Sequence, residues 1–373
     1  MIQRRLEGTI KEKLFKGKAI LVMGPRQVGK TTLLKELFFG NEAMIWLNGD
    51  ELDIQNLFEG ISADRFRAII GEKKIVIIDE AQRIKDIGLR LKLITDTLPE
   101  VQLIATGSSS FELANSVNEP LTGRKWQYKL YPLSFSEMVA HHGLLEERRL
   151  LPHRLLYGYY PEVVKQQGNE KELLKQLTDS YLYKDVLMLE TIKKPEKLVK
   201  LLQGLALQVG SQVSYNELGQ LCGLDSKTVE KYVTVLEQTY VIFKLSSFSR
   251  NVRNELKSSK KIYFYDNGIR NALIANFNQV ENRTDVGALW ENFLISERIK
   301  SLDYNGKWVN YWFWRTKDQK ELDFIEETDG QLTGYEFKWN PKANVKIPKQ
   351  FTVNYPDAEV KIITQANFDS FIL

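Results

Sequence analysis

Residues 24–32 read Gly24-Pro25-Arg26-Gln27-Val28-Gly29-Lys30-Thr31-Thr32: a glycine, four residues, then Gly-Lys-Thr. The five apolar residues before it, Ala19 to Met23, have the unbroken hydrophobicity of a strand covered on both faces. After it, Leu33, Leu34, Leu37 and Phe38 recur at helical spacing until Gly40. Strand, glycine-rich loop and helix are the context in which this spacing makes a phosphate cradle. The glycines let successive backbone N–H groups turn inward around an anion, and the helix start adds partial positive charge. Lys30 is then placed to reach terminal phosphates, and the Thr31 hydroxyl to ligate Mg²⁺. At average residue usage, a chance match in a chain this long is on the order of one in a hundred. Residues 24–32 therefore point to a bound nucleoside triphosphate, with ATP and Mg²⁺ as the expected ligands.

Lys74-Ile75-Val76-Ile77-Ile78-Asp79-Glu80 is the second strong signal. Four β-branched residues in a row again read as a strand covered on both faces, and it ends in two carboxylates. Ligands gather at the carboxyl edge of such sheets. Asp79 is expected to hold Mg²⁺ through water, and Glu80 to orient or deprotonate the attacking water. Ala43 to Asn48 reads as another strand, followed by Asp50, which fits a place near the site less well than a solvated turn. Ser62 is placed to cap a helix reaching Ile70. Val101 to Thr106 is a third buried strand, ending in Gly107-Ser108-Ser109-Ser110, where a polar group such as Ser108 could sense the γ-phosphate or simply make a turn. Leu121-Thr122-Gly123-Arg124 sets an arginine before the strand Trp126 to Leu130, where it could stabilise transition-state charge in a neighbouring subunit.

The chain has 373 residues, enough for two or three domains with cores of their own. Hydrophobic residues at 43% and charged residues at 27% are those of an ordinary globular protein, and a net charge of +4 permits nucleic-acid contact without demanding it. One cysteine, Cys222, excludes an internal disulfide framework and suits the reducing cytoplasm, where we expect the protein. Met1 to Glu7 leads into no signal-length apolar segment, and no run approaches the ~18 apolar residues of a membrane span, so no membrane partner is expected.

Asp79-Glu80-Ala81-Gln82, Thr106-Gly107-Ser108-Ser109, Leu121-Thr122-Gly123-Arg124 and Tyr131-Pro132-Leu133-Ser134-Phe135-Ser136-Glu137 resemble a group of bacterial and archaeal AAA-type ATPases with an Asp-Glu-Ala-Gln second motif. The resemblance extends over the whole chain, because members of that group commonly carry a winged helix and a restriction-endonuclease-like C-terminal domain. It departs from standard AAA proteins at Ser108, where an asparagine is usual. It implies that the Val101 strand lies between the loop strand and the Asp79 strand. A neighbouring subunit for Arg124 requires a homo-oligomer, which we expect.

From Ser134 to about Gln208 the pattern is helical, with breaks near Gly143, Pro152, Gly168 and Pro195. His141, His142 and His153 read as surface or capping residues, since further zinc ligands at usual spacing are absent. The aromatics of Tyr157-Gly158-Tyr159-Tyr160 and Tyr181-Leu182-Tyr183 read as core. Ser214-Tyr215-Asn216-Glu217 is a capping box opening one helix, and Lys227 to Gln238 is a second, a helix-turn-helix pattern. Two strand-like runs, Val241 to Leu245 and Lys261 to Tyr265, suit a wing, and residues 243–261 hold six basic side chains against one acidic. Arg250, Arg253, Lys257, Lys260 and Lys261 are the candidates for phosphate contact, which makes DNA a candidate partner. Lys227 and Lys231 of the second helix are balanced by Asp225, Glu230 and Glu237, which argues against base reading.

Near the C-terminus come a helix carrying Glu291 and Glu297, strands over 308–314 and 321–325, and Glu336-Phe337-Lys338 on a further strand, where alternation puts Glu336 and Lys338 on one face. The order of helix Glu291, strand Asp323 and strand Glu-x-Lys resembles the PD-(D/E)XK nuclease fold. Glu291, Asp323 and Glu336 would then be metal ligands, and Lys338 would steady the attacking water.

The expected fold is α/β: a P-loop NTPase parallel-sheet domain (1–140), a helical linker (141–210), a winged helix-turn-helix (211–268) and a restriction-endonuclease-like α/β domain (269–373). Three functions fit: an ATPase switch acting on a C-terminal nucleic-acid- or protein-binding domain, an ATP-regulated metal-dependent nuclease, or an ATPase with a non-catalytic interaction module.

Overall fold

In the computed structural model, the first sheet takes its form from the continuous apolar runs of the sequence. The structure describes residues 2–108, 120–187, 195–249, 259–316 and 318–373, with side chains described outside 180–195. Strands β1 (Ala19–Met23), β2 (Met44–Asn48), β3 (Ile75–Asp79), β4 (Gln102–Gly107) and β5 (Lys125–Lys129) form one sheet in the order β2-β3-β4-β1-β5. Every pair in it is parallel. Strands β1, β3 and β4 are buried at every residue, as their unbroken hydrophobicity requires, while β2 and β5, at the edges, are only partly covered. The fourth strand lies between β1 and β3, so the carboxyl ends of β1, β3 and β4 adjoin.

Helices Leu6–Lys13, Lys30–Leu37, Leu52–Phe58, Ala63–Ile70 and Ile87–Thr97 accompany this sheet. The helix expected over residues 1–18 is confined to Leu6–Lys13. Ser62 caps the fourth of these, its hydroxyl accepting from Arg65 N at 3.3 Å. Residues Met1–Pro132, with Gln238–Tyr240, form one compact unit, and Leu133–Glu237 with Val241–Leu373 form the other.

The second unit begins with helices that bury Leu151, Leu155, Tyr159, Tyr160, Leu174 and Leu177, so the aromatics at 159 and 160 are core. Tyr181, Leu182 and Tyr183 lie where side chains are outside the described residues. Helix Tyr215–Cys222 is capped by Ser214, whose Oγ accepts from Glu217 N at 3.3 Å, and helix Ser226–Gln238 follows. Strands β6 (Gln212–Val213), β7 (Ile242–Ser246) and β8 (Lys260–Phe264) make a small antiparallel sheet in the order β6-β8-β7. Long helix Val286–Tyr304 precedes β9 (Asn310–Arg315), β10 (Glu321–Thr328), β11 (Gln331–Phe337) and β12 (Glu359–Ile363), which pair as β12-β11-β10-β9. The Asn292 amide reaches β8 from that helix, accepting from Phe264 N at 2.8 Å and donating to Phe264 O at 3.0 Å. It serves the backbone of β8 at a position where the two-residue β6 has already ended.

Candidate functional site

Residues 24–29 leave β1 at its carboxyl end and wind into the Lys30–Leu37 helix. Three of them hold left-handed backbone: Gly24 at φ 155°, Gln27 at φ 58° and Gly29 at φ 92°. A Cβ on Gly24 would sit 2.1 Å from the Leu130 carbonyl oxygen, so only glycine fits there. Gln27 adopts such a conformation without glycine's freedom, a local strain typical of ligand sites. Lys30 is 5% exposed, and its Nζ donates to Gly24 O at 2.9 Å and Pro25 O at 2.8 Å. The ammonium is thus held inside the loop by two of its carbonyls.

Asp79, at the end of β3, is brought beside the loop by the strand order. Thr31 Oγ1 donates to Asp79 Oδ2 at 2.8 Å, and Thr106 Oγ1 donates to Asp79 Oδ1. The Thr106 hydroxyl also accepts from Glu80 N at 3.1 Å. Glu80 itself has φ 50°, again left-handed backbone at a side chain of interest. Gln82 Nε2 donates to Glu80 Oε2 at 2.5 Å and to Ser108 Oγ at 3.1 Å. Among the described residues, Gln82 Oε1 is buried without a hydrogen-bond partner. Gly24, Lys30, Thr31, Asp79, Glu80 and Ser108 therefore gather at one edge of the sheet, while Ser109 and Ser110 lie outside the described residues.

Three contributors were not legible in the sequence. Thr106 closes the third buried strand, but nothing in the sequence pairs its hydroxyl with Asp79. Gln82 lies within the quoted motif but had no assigned partner. Arg4 precedes the first helix: its guanidinium donates to Val28 O at 2.6 Å and Tyr131 O at 2.7 Å, fastening the loop from below. No spacing rule connects residue 4 to residue 28. Asp50 remains in its turn, more than half exposed and 3.3 Å from Arg83.

Arg124 is elsewhere. Its carbonyl accepts from Ala19 N at 2.9 Å, at the amino edge of the sheet, and its side chain pairs with Asp96 at 2.5 Å. The length of β1, roughly 16 Å at ~3.3 Å per residue, separates that edge from its own phosphate loop. Arg124 thus lies away from the site formed by its own chain.

A second ionic centre occupies the C-terminal region. Lys338, just past the end of β11, donates from Nζ to Glu336 Oε1 at 2.6 Å. Asp323 Oδ2 accepts from Phe337 N at 2.7 Å. Burial first, and then the neighbouring charges of Glu291 and Glu336, raise the Asp323 pKa well above the usual carboxylate range. Burial also raises that of Glu336, against the opposing pull of Lys338. Glu291, Asp323, Glu336 and Lys338 thus come together electrostatically. Among the described residues, no three His, Cys, Asp or Glu groups stand close enough together to hold a metal ion.

To Lys338 the structure adds a second lysine at this centre, Lys261. Lys261 was expected to touch phosphate from a wing, but it is 2% exposed and cannot. It lies on the central strand of the small sheet, and its Nζ pairs with Glu291 at 3.1 Å and with Glu321. Tyr263, two residues on along the same face of β8, donates its hydroxyl to Glu291 Oε1 at 2.5 Å. Arg250, Arg253 and Lys257 fall outside the described residues. His142 and His153 do not stand alone on the surface: each meets a buried glutamate, Glu147 at 2.7 Å and Glu170 at 3.0 Å.

Comparison with known proteins agrees with the geometry of the first unit. Residues 16–139 match the family model described as an AAA domain, while 148–280 and 286–369 match two domains of unknown function, DUF8612 and DUF4143. An uncharacterized protein of Mycobacterium tuberculosis is 26% identical over 344 residues, covering 91% of this chain and 74% of the relative. An uncharacterized protein of Haemophilus influenzae is 26% identical over 339 residues, covering 82% and 78%. Among solved structures, a Walker-type ATPase of Pyrococcus abyssi is similar in fold, with a TM-score of 0.53 at 17% identity over 74% of this chain and 96% of that one. No helix among the described residues is long and apolar enough to cross a membrane. The parallel sheet and the phosphate loop agree with that match: residues 16–139 are similar to AAA domains and carry a P-loop at the carboxyl edge of a parallel sheet.

Proposed function

We propose that this chain binds ATP with Mg²⁺ at residues 24–32 and hydrolyses it, and that hydrolysis drives a conformational switch serving the C-terminal domain. The observation that carries the proposal is the Thr31–Asp79 hydrogen bond at 2.8 Å beside a buried Lys30. A hydroxyl and a carboxylate side by side are the hard oxygen donors that Mg²⁺ prefers. The cradle that a Cβ on Gly24 would fill and the orphaned Gln82 Oε1 support the same fit.

Thr31 and Asp79 would hold the Mg²⁺, which supplies positive charge to phosphate oxygens when bound. Lys30 exchanges two loop carbonyls for phosphate oxygens, an exchange favoured by their charge. Glu80 takes the proton of the attacking water, and Gln82 holds its carboxylate in place. Ser108 anchors Gln82. Arg124, outside its own chain's site, is assigned to a neighbouring subunit of a homo-oligomer, where it would offset charge on the transferred phosphate.

For the remainder, the succession of β6, two helices, β7 and β8 supports a winged helix-turn-helix, and the Glu291, Asp323, Glu336 and Lys338 grouping supports a nuclease-like ancestry. The second helix has a mixed charge, and Lys244 beside it pairs with Glu237 at 2.6 Å. Both suit domain packing better than phosphate contact. We therefore favour an interaction module over a cutting one. Phosphate release from ATP with Mg²⁺, compared between wild type and Lys30→Ala, tests the central claim. Equal nucleotide affinity in the two proteins would refute it.

A further inference from the structure

We infer that the Lys261 ammonium is the resident cation of the C-terminal acidic centre, standing where a metal-dependent nuclease would hold a divalent ion. This goes beyond the ATPase reading and does not depend on it.

The centre contains four carboxylates, from Glu291, Glu321, Asp323 and Glu336, on one helix and two strands of the C-terminal sheet. Such a gathering repels itself unless cations enter it. Three do. Lys261 pairs with Glu291 and Glu321, Arg315 NH1 meets Glu321 Oε2 at 3.2 Å, and Lys338 holds Glu336. The fourth carboxyl, Asp323, accepts a backbone N–H from Phe337. Lysine is almost never this buried without partners, and here the partners come from two separate elements. Joining carboxylates from a helix and a strand is the structural work a divalent ion does in a cleavage site. A further face of the ammonium lies against the Phe313 ring, 5.3 Å from its centroid. Tyr263 occupies another lone pair of Glu291. The helix carboxylate that should ligate metal is thus already committed to a lysine and a tyrosine of β8. The residues present do not fit a metal ion while Lys261 is among them.

The test uses the full chain without nucleotide, titrated with Mn²⁺ and read by the electron paramagnetic resonance of the free ion. Wild type and Asp323→Asn should bind the same amount of Mn²⁺. Lys261→Ala should gain one equivalent, and adding Asp323→Asn to it should remove that equivalent. In the same variants, millimolar Mn²⁺ should raise the unfolding temperature of Lys261→Ala but not of the double variant. A wild-type chain that binds one Mn²⁺ dependent on Asp323 would overturn the inference, and this arm stands even if Lys261→Ala does not fold. A folded Lys261→Ala chain that still takes no Mn²⁺ at this centre would overturn it as well.

Discussion

Gln82 Nε2 lies 2.5 Å from Glu80 Oε2 and 3.1 Å from Ser108 Oγ, so one amide ties the carboxylate after β3 to the hydroxyl after β4. These two strands are neighbours in the sheet, and their ends are where a nucleotide's terminal phosphate would arrive. The link gives Glu80 a fixed direction despite its left-handed backbone. It also makes the roles of the two residues separable by experiment.

Glu80→Gln keeps the shape of the side chain and removes the proposed base. ATP binding should persist and hydrolysis should fall by roughly 10²–10⁴-fold. Isothermal titration with ATP and Mg²⁺, followed by phosphate release, checks both halves. Wild-type turnover in this variant would assign the water to another residue.

Gln82→Ala leaves the proposed base, Glu80, but frees its carboxylate. Loss of a partner that orients an active group costs about 10–100-fold in metal sites, and a similar fall in kcat is expected here. KM for ATP should change little, since Gln82 does not line the phosphate loop. A rise in KM with kcat intact would mean that Gln82 shapes binding and leaves Glu80 alone.

Gly24→Ala tests the cradle itself. The new methyl would meet the Leu130 carbonyl oxygen at 2.1 Å, and backbone cannot rotate away as a side chain can. Overpacking of this kind costs about 1–3 kcal/mol. Chemical denaturation should report that loss, and nucleotide affinity should fall with it. Unchanged stability would show that Leu130 moves freely.

The sequence made the first unit legible because its evidence is local: a motif nine residues long, and strands whose apolar runs have no amphipathic alternative. Asp79, Lys30 and Thr31 meet because the strand order brings two such runs together. Arg4 and Thr106 were hidden for the opposite reason. Each acts through hydrogen bonds to residues far along the chain, and neither belongs to a periodic pattern. Lys261 was misread because a basic residue in a basic stretch suggests solvent and phosphate. Only the packing of β8 against the Val286–Tyr304 helix shows that its charge is spent on Glu291 and Glu321.

Asp285 offers a pH test of the second unit. Burial opposes its charge, but hydrogen bonds from Arg283 and Arg270 prevail and hold its pKa at about 2. A carboxylate depressed in the folded state stabilises above its unfolded pKa of about 4 and loses that contribution as pH falls toward 2. The full shift corresponds to about 2 kcal/mol, and less after screening of the exposed quarter of the side chain. Asp285→Asn should therefore destabilise the protein at pH 7 and make little difference near pH 2. Denaturation across that range checks the sign: a gap between the two proteins that widens toward acid would contradict it.

Arg124 provides the last test, because its present partner explains so little. The Arg124–Asp96 pair is substantially exposed, at 44% and 38% of the two side chains, and such pairs contribute between nothing and about 1 kcal/mol. Arg124→Ala should therefore leave the fold nearly as stable as before. If the guanidinium works in a neighbour's site, turnover should nevertheless drop while ATP affinity holds. Arg124→Ala protein mixed with Glu80→Gln protein should then regain part of the lost turnover. Some interfaces in the mixture would pair an intact Glu80 with an intact Arg124. Sedimentation must first show that the protein associates under the assay conditions. An oligomer whose mixed variants recover nothing would assign Arg124 to its Asp96 contact and leave the transition-state charge to Lys30 and the metal.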